Sequence, residues 1–287
     1  MAAQGAVEAV SAASAAVGAA ATDATTAASH VVHTGFALAV DRIDYAIMVP
    51  LVYLSILALL VGVIWRLVVI FRSPPPPYSL RLYPAAQRPR LAAFRETFTM
   101  PQVRRHRPVF WVFLMIYHVA FILLFLGHLD ILPGVNLMPA GSRHMLGAGA
   151  VGVAVTLPVL YFLVRRLRSP VREFSTPADF LLLLLLLFLF LFGDMMSWGN
   201  SWSPHGFVMT KADFASYFDG LARLTLADPR AVLHGSHYHF VVIHVFLAEL
   251  FFVVFPFSKI MHTFLSLPVN LLRRTGGTVA ERRRLHG

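Results

Sequence analysis

Apolar residues occur in long unbroken runs along this chain, and polar residues are concentrated between the runs. Runs of this length are typical of helices that cross the hydrocarbon core of a bilayer, which is roughly 30 Å thick. The runs cover about residues 43–71, 108–132, 145–164, 177–198 and 240–267. The pattern predicts an all-α integral membrane protein with five transmembrane helices.

The composition supports a membrane protein and limits the cofactors that it can hold. Of the 287 residues, 57% are hydrophobic and only 13% are charged, which excludes an ordinary soluble domain. The chain contains no cysteine, so it holds no iron–sulfur cluster, covalently attached c-type haem, thiolate zinc site or disulfide. Any redox centre must therefore be held by histidine or methionine.

The positive charges lie in segments that join alternate apolar runs. A formal net charge of +10 would be compatible with a nucleic-acid partner. The arginines, however, cluster in residues 72–107, 165–172 and 273–284, as expected for loops that stay on the cytoplasmic side. This distribution predicts a multi-pass protein with its N-terminus outside and its C-terminus inside, and no nucleic-acid partner.

The same pattern divides the chain into three segments. Residues 1–40 are rich in alanine and contain no lysine or arginine, so we expect an exported N-terminal tail. Residues 41–270 are expected to form the five-helix domain, and residues 271–287 a basic cytoplasmic tail. Residues 199–238, between the last two apolar runs, are expected to form the longest outer loop.

Two of the predicted spans carry pairs of histidines. The second span contains His118 and His128, and the fifth contains His244 and His262. His244 and His262 are separated by about five turns at roughly 3.6 residues per turn, so a continuous helix would present both imidazoles on one face. Because spans two and five are antiparallel, His128 is expected to pair with His244 near the outer surface, and His118 with His262 further inside.

Two stacked histidine pairs are the ligand pattern that two b-type haems require, because a non-covalent haem needs axial ligands and an apolar slot. A single intramembrane histidine is more often a hydrogen-bonded structural residue, but four in two antiparallel pairs favour ligands. The inner pair fits less well. The rise between the histidines is about 15 Å on span two and about 27 Å on span five, so Pro256 is expected to kink span five.

Other polar residues near the spans allow several interpretations. His237 and His239, with His234, stand just outside the outer pair. One interpretation is proton exchange near neutral pH, a second is zinc binding, and a third is an interfacial hydrogen-bonded cluster. Glu249 lies inside span five, where an ionised carboxylate is costly, so it is either neutral or part of a proton relay. A transporter that uses such a relay is a further interpretation, although the chain has no visible internal repeat.

Several short motifs resemble the gamma subunit of respiratory nitrate reductases. The histidine spacings of its second and last helices and the residues around a cytoplasmic junction carry this resemblance, over about residues 110–275. The residues concerned are His118, Gly127–His128, Arg165–Arg166, Ser169–Pro170, Thr176, Ala178–Asp179, Phe255–Lys259, Met261–His262, Pro268–Val269 and Leu272–Arg273.

The resemblance implies a dihaem cytochrome b of the bacterial cytoplasmic membrane, with two b haems between helices 2 and 5. It implies that His128 and His244 hold the outer haem and that His118 and His262 hold the inner one. The implied substrate is a membrane quinone, either menaquinone or ubiquinone. The implied partners are membrane lipid and a cytoplasmic iron–sulfur subunit of a larger complex.

The implied quinone site lies beside the outer haem. Its candidate residues are Gly127, Arg143, His144, His237 and His239. Arg143 and His144 stand in the region where the family has a lysine at the start of its third helix. The longer tail and loops indicate a relative from another anaerobic respiratory complex, such as a sulfur-linked one, with an exported multihaem cytochrome c as a further candidate partner.

The function expected from the sequence is the membrane cytochrome b subunit of an anaerobic respiratory complex. It would be the quinol-oxidising, or quinone-reducing, subunit of an oxidoreductase, and electrons would pass between quinone and an iron–sulfur partner through two stacked haems. The alternative from a different class is a non-redox membrane anchor that tethers a soluble enzyme.

Overall fold

The structure is a computed structural model that describes residues 36–73, 85–138, 149–202, 211–233 and 237–275. Every regular element in these residues is helical and none is a strand, which confirms the all-α prediction for this part of the chain. The chain divides into two compact units, Met1–Ala46 and Ile47–Gly287. In the first unit, residues 36–46 are helical.

The second unit begins with a π-helical turn, Ile47–Leu51, and its described part contains nine α-helices. The helices are α1 (Val52–Arg72), α2 (Pro89–Thr99), α3 (Pro101–His106), α4 (Pro108–Asp130), α5 (Ala150–Arg166), α6 (Pro177–Trp202), α7 (Lys211–Ala222), α8 (Tyr238–Val254) and α9 (His262–Thr275). Short 3₁₀ turns lie at Val171–Phe174, Pro229–Ala231, Phe255–Phe257 and Lys259–Met261.

Four helical stretches of the described residues are long and apolar enough to cross a membrane. They are Phe36–Arg72, Pro108–Asp130, Pro177–Trp198 and Tyr238–Phe257. The predicted third span coincides with α5, which has 17 residues, and residues 145–148 of that prediction lie outside the described part. The structure therefore has four candidate spans, and a fifth span and the orientation stay predictions.

The helices pack in the order α4, α5, α6, α8, α1. Val155 and Val159 of α5 are almost completely buried among apolar residues of α4, α6 and α8. The outward faces carry large apolar side chains as well, and Leu57 and Ile64 of α1 are among the exposed ones. Apolar faces on both sides of the helices are what a lipid environment requires.

The arginine-rich segments meet at one end of the helices. Helix α2 packs against α9 through an ion pair between Glu96 and Arg274 and a 2.9 Å hydrogen bond from Asn270 Nδ2 to Thr97 Oγ1. The start of α4 meets the end of α5 at the same end, where the Arg165 guanidinium lies 4.4 Å from the centre of the Phe110 ring. We call this the arginine-rich end.

The opposite end is covered by α7, an element that the sequence pattern did not predict within residues 199–238. Lys211 forms a 2.8 Å ion pair with Asp130 at the end of α4. Asp130 also accepts backbone hydrogen bonds from Leu137 and Met138 at 2.6 and 3.1 Å, and Tyr53 donates to the carbonyl of Leu221 at 2.7 Å. These bonds fix α7 to α4 and α1.

The prediction of one continuous helix from His244 to His262 is wrong. Helix α8 ends at Val254, two 3₁₀ turns follow, and α9 begins at His262. Pro256 has no N–H to continue the helical ladder, and Ser258 has an extended backbone with ψ of 170°. Helix α8 therefore ends here, whereas a kink within one helix was expected at Pro256.

The predicted terminal segments fall largely outside the described residues. Only residues 36–40 of the expected N-terminal tail are described, and they are helical. At the other end, α9 continues to Thr275, five residues past the expected start of the basic tail after residue 270, and residues 276–287 are not described.

Candidate functional site

Four histidine side chains lie in two close pairs. The ring centres of His128 and His244 are 6.2 Å apart and their planes differ by 20°. The ring centres of His118 and His262 are also 6.2 Å apart, but their planes differ by 79°. We call these the outer and the inner pair, after the predicted orientation. The rings that meet are those that antiparallel spans would bring together, and their role as ligands stays a prediction.

The break after α8 explains how His262 reaches His118. In ideal straight helices the two partners would be mismatched by about 12 Å, the difference between rises of about 27 and 15 Å. The extended residue Ser258 redirects the chain, so that the residues after it do not continue along the axis of α8. The irregular backbone thus gives the inner pair the same separation as the outer pair.

Each of the four rings is held by a hydrogen bond between its Nδ1 atom and a backbone carbonyl. The partners and distances are Leu114 at 2.7 Å for His118, Leu124 at 2.8 Å for His128, Leu189 at 3.0 Å for His244 and Lys259 at 2.9 Å for His262. A carbonyl oxygen only accepts hydrogen bonds, so each Nδ1 carries the proton and each Nε2 keeps a lone pair. This is the tautomer that binds metals through Nε2.

The geometry of both pairs fits an iron atom bound by two imidazoles. With metal–nitrogen bonds of about 2 Å, and roughly 1 Å from each nitrogen to its ring centre, the ring centres would lie roughly 6 Å apart. The separation in both pairs is 6.2 Å. The Nδ1 contacts leave the Nε2 atom of each ring as the atom that would bind a metal.

Small residues make room around the outer pair. Gly127, next to His128, is buried in α4. A Cβ atom at Gly193 of α6 would lie only 3.2 Å from Cε1 of His244. The ring of His244 therefore depends on the absence of a side chain at position 193, a requirement that the sequence analysis did not recognise.

Three of the five predicted quinone-site residues are described. Gly127 is buried beside the outer pair, His237 immediately precedes α8 with its ring centre 5.8 Å from that of Phe240, and His239 is exposed. Arg143, His144 and also His234 lie outside the described residues. Among the residues that are described, no group of three or more His, Asp or Glu side chains forms a candidate metal site.

A network that the sequence pattern does not reveal supports the inner pair. Asp179 of α6 is 5% exposed and binds Lys259 Nζ at 2.7 Å through Oδ1 and at 2.9 Å through Oδ2. It also accepts hydrogen bonds from the backbone and the hydroxyl of Thr176, both at 3.1 Å. The carbonyl of Lys259 is the partner of His262 Nδ1. Asp179 therefore anchors the turn that orients His262.

One family model matches this chain. It is described as the nitrate reductase gamma subunit and matches residues 85–282, which is more than half of the chain and includes all four paired histidines. No curated protein matches the chain.

Proposed function

The chain belongs to the nitrate reductase gamma subunit family, and we propose that it is the quinone-reactive dihaem cytochrome b of a respiratory complex. Its family supplies membrane cytochrome b subunits to such complexes, and its apolar helices are those of a multi-pass membrane protein. The observation that carries the dihaem proposal is the matched pair geometry, with two ring pairs at 6.2 Å and four Nδ1 atoms bound to backbone carbonyls.

In this proposal His128 and His244 hold one haem, and His118 and His262 hold the other. When bound, the haems supply one-electron carriers at two depths of the membrane. The backbone carbonyls fix the tautomer and orientation of each imidazole. The buried apolar residues between the two depths, among them Ala120, Phe190 and Phe251, exclude water from the space between the pairs.

We further propose that quinol is oxidised near the outer pair and that electrons leave at the arginine-rich end. Gly127, His237 and His239, with Arg143 and His144, are the residues proposed for the quinone site, where histidine side chains would accept the quinol protons. The protons would be released on the outer side. Menaquinone and ubiquinone are the candidate quinones.

The charge of the arginine-rich end supports an iron–sulfur subunit as the partner that docks there. Its acids are occupied internally, because Glu96 binds Arg274, Asp179 binds Lys259 and Glu173 accepts from Ser169 at 2.7 Å. Its exposed arginines are Arg88, Arg90, Arg95, Arg104, Arg105, Arg107, Arg168, Arg172 and Arg273. Such a surface fits an acidic partner and steers its approach.

Anaerobic addition of a menaquinol analogue to the purified complex tests the proposed function. We expect the reduced b-type absorbance to appear in proportion to the added quinol. The non-redox anchor would give no haem absorbance and no response. Haem that is present but is not reduced by any quinol would contradict the quinone-reactive part of the proposal. It would not contradict the proposed haem sites.

The different ring angles predict different magnetic spectra for the two sites. Near-parallel imidazole planes split the energies of the two iron d orbitals that interact with them, whereas perpendicular planes leave those energies close together and increase the largest g value. We therefore expect the oxidised inner site, with planes at 79°, to have a larger maximum g value than the outer site, with planes at 20°. Electron paramagnetic resonance of single-site variants measures both, and the reverse order would contradict these ring orientations.

Crowding at Gly193 is expected to affect the outer pair alone. The variant Gly193→Val would press on the His244 ring, because a Cβ there already lies 3.2 Å from Cε1. We expect at least severalfold weaker haem binding at the outer site and an unchanged inner site, measured by haem content and redox titration. Gly220→Val is the matched control, since its Cβ would lie 3.3 Å from Thr225 Oγ1, away from the histidines. Equal effects of the two variants would contradict the prediction.

A further inference from the structure

Glu249 is a buried carboxyl group without a hydrogen-bond partner among the described residues. The residue is 4% exposed, and neither Oε1 nor Oε2 has a partner in the described part of the chain. It lies inside the candidate span Tyr238–Phe257, where lipid offers no hydrogen bonds. A buried polar group left unpaired is costly, and it points to a function that uses the group.

The side chain of Glu249 does not face the space between the histidine pairs. It follows His244 by five residues, which corresponds to about 140° around the helix axis and about 7–8 Å along it. His244 contacts α6 through its hydrogen bond to Leu189. Glu249 therefore lies on another face of α8, close enough to the outer pair for electrostatic coupling but not for contact.

The face of α8 that carries Glu249 packs against α1. A Cβ atom at Gly62 would lie 2.6 Å from Cγ of Pro256, so these two positions touch. The π-helical turn Ile47–Leu51 also contacts α8, which requires α1 and α8 to run in the same direction. Ser55 stands seven residues before Gly62, and Glu249 stands seven residues before Pro256. Their exposed fractions are 2% and 4%. Both buried polar residues therefore stand about two turns before the touching pair, at a similar level of the α1–α8 contact.

Polar contacts and a cavity lie near the start of α1, on the side of α7. Tyr217 donates a hydrogen bond to the carbonyl of Met48, which lies two helical turns before Ser55 in the π-helical turn. Tyr217 and Val49 also line a cavity of about 80 Å³ under α7, which is enough for a few water molecules. The cavity lies beside the π-helical turn that precedes α1.

Electrostatics also connect Glu249 with Tyr217. Burial raises the pKa of the Tyr217 phenol, and the neighbouring Tyr238, Glu249 and Tyr53 raise it further. Tyr53 of α1, Tyr217 of α7 and Tyr238 of α8 are the tyrosines that interact in this region. The buried Asp44 stands four residues before Met48 along the chain. On α6, Asp194 accepts a 2.8 Å hydrogen bond from Thr156 of α5, on the other side of the bundle.

We propose that Glu249 is an intramembrane proton-binding site whose occupancy follows the charge of the outer haem site. The inference rests on the proposed function. An added negative charge at the outer site would favour protonation of Glu249. A hydronium ion in the cavity water would then transfer its proton to the carboxylate, breaking one hydronium O–H bond, forming the carboxyl O–H bond and leaving water. Loss of that charge would reverse the transfer.

The expected coupling is large enough to measure. A unit charge on the order of 10 Å away, at an effective dielectric constant of about 20, changes a proton-binding constant by about tenfold. Linkage is reciprocal, so proton binding changes the equilibrium constant for reduction of the outer site by the same factor. Binding a proton at Glu249 would therefore favour reduction of the outer site by about tenfold.

The test uses the full chain in its haem-loaded complex, as wild type, Glu249→Gln and Glu249→Met. Redox titrations at several pH values follow the haem absorbance, and reduced-minus-oxidised infrared spectra are recorded in H₂O and D₂O. In the wild type we expect outer-site reduction to become less favourable as pH rises. We also expect a protonated-carboxyl band that appears on reduction and shifts in D₂O. Both variants should lose both signals and retain both haems.

The control is Glu173→Gln, which changes an exposed carboxyl at the arginine-rich end and should keep the wild-type behaviour. Glu249→Met keeps a similar volume without a polar group, so it serves if the glutamine variant does not assemble. Survival of the pH dependence and the carboxyl band in either assembled Glu249 variant would overturn the inference. A wild type with haem but without these signals would overturn the inference alone, and a wild type without haem would overturn the proposed function.

Discussion

Replacing His128 with alanine is expected to remove the outer haem and leave the inner haem in place. The reason is geometric. The ring centres of His128 and His244 are 6.2 Å apart, and among the described residues no other histidine is placed to replace either ring. His244→Ala should give the same spectrum as His128→Ala. His118→Ala and His262→Ala should instead remove the inner haem, whose rings are also 6.2 Å apart.

The haem content and the redox titration of the four single-histidine variants test this prediction. Residues that act as a unit give non-additive effects, so the double variant His128→Ala/His244→Ala should lose no more haem than either single variant. His239→Ala is the matched control, because His239 is exposed on the same helix as His244 and is not a proposed ligand. Loss of both haems in every variant, or of neither in His128→Ala, would contradict the assigned pairs.

The variant Asp179→Ala is expected to weaken the inner haem site without changing the outer one. The Asp179 carboxylate binds Lys259 at 2.7 Å, and the Lys259 carbonyl accepts the Nδ1–H of His262 at 2.9 Å. Lys259 lies in the 3₁₀ turn that precedes α9, and the ion pair ties this turn to α6. Groups bonded directly to a ligating histidine typically change metal affinity by 10- to 100-fold. Asp179 acts through Lys259, so we expect an effect at the lower end of that range, about tenfold.

The prediction is tested by measuring the redox potential and the haem occupancy of the inner site in Asp179→Ala and in the wild type. Lys259→Met removes the other half of the ion pair and should produce a similar change. Glu173→Ala serves as the control, since Glu173 is an exposed acid at the same end that accepts a hydrogen bond from Ser169. A change of equal size at both haem sites would indicate a general loss of stability and would argue against a positioning role.

The apolar helices followed from the sequence because apolar runs are a local feature, and the adjacency of the histidine rings followed because antiparallel spans restrict how the rings can pair. Apolar runs of bilayer length define the spans, and antiparallel spans leave one way to pair histidines at two depths. The role of those histidines as haem ligands, like the quinone site, stays a prediction.

The remaining features depend on contacts between distant residues, which a sequence pattern does not contain. The ion pair between Asp179 and Lys259 joins residues far apart in the chain. Helix α7 forms in a polar segment that contains no apolar run from which it could be predicted. The break at Ser258 was expected only as a kink at Pro256, because proline predicts where a helix is disturbed but not the direction that follows.

The number of b haems per chain tests the central claim most directly. The measurement is the ratio of extracted haem to protein in the purified wild-type complex, combined with the number of components in its redox titration. Two haems per chain with two separate potentials are the predicted result. A ratio of zero, or a single haem that is lost on changing either His118 or His128, would contradict the account.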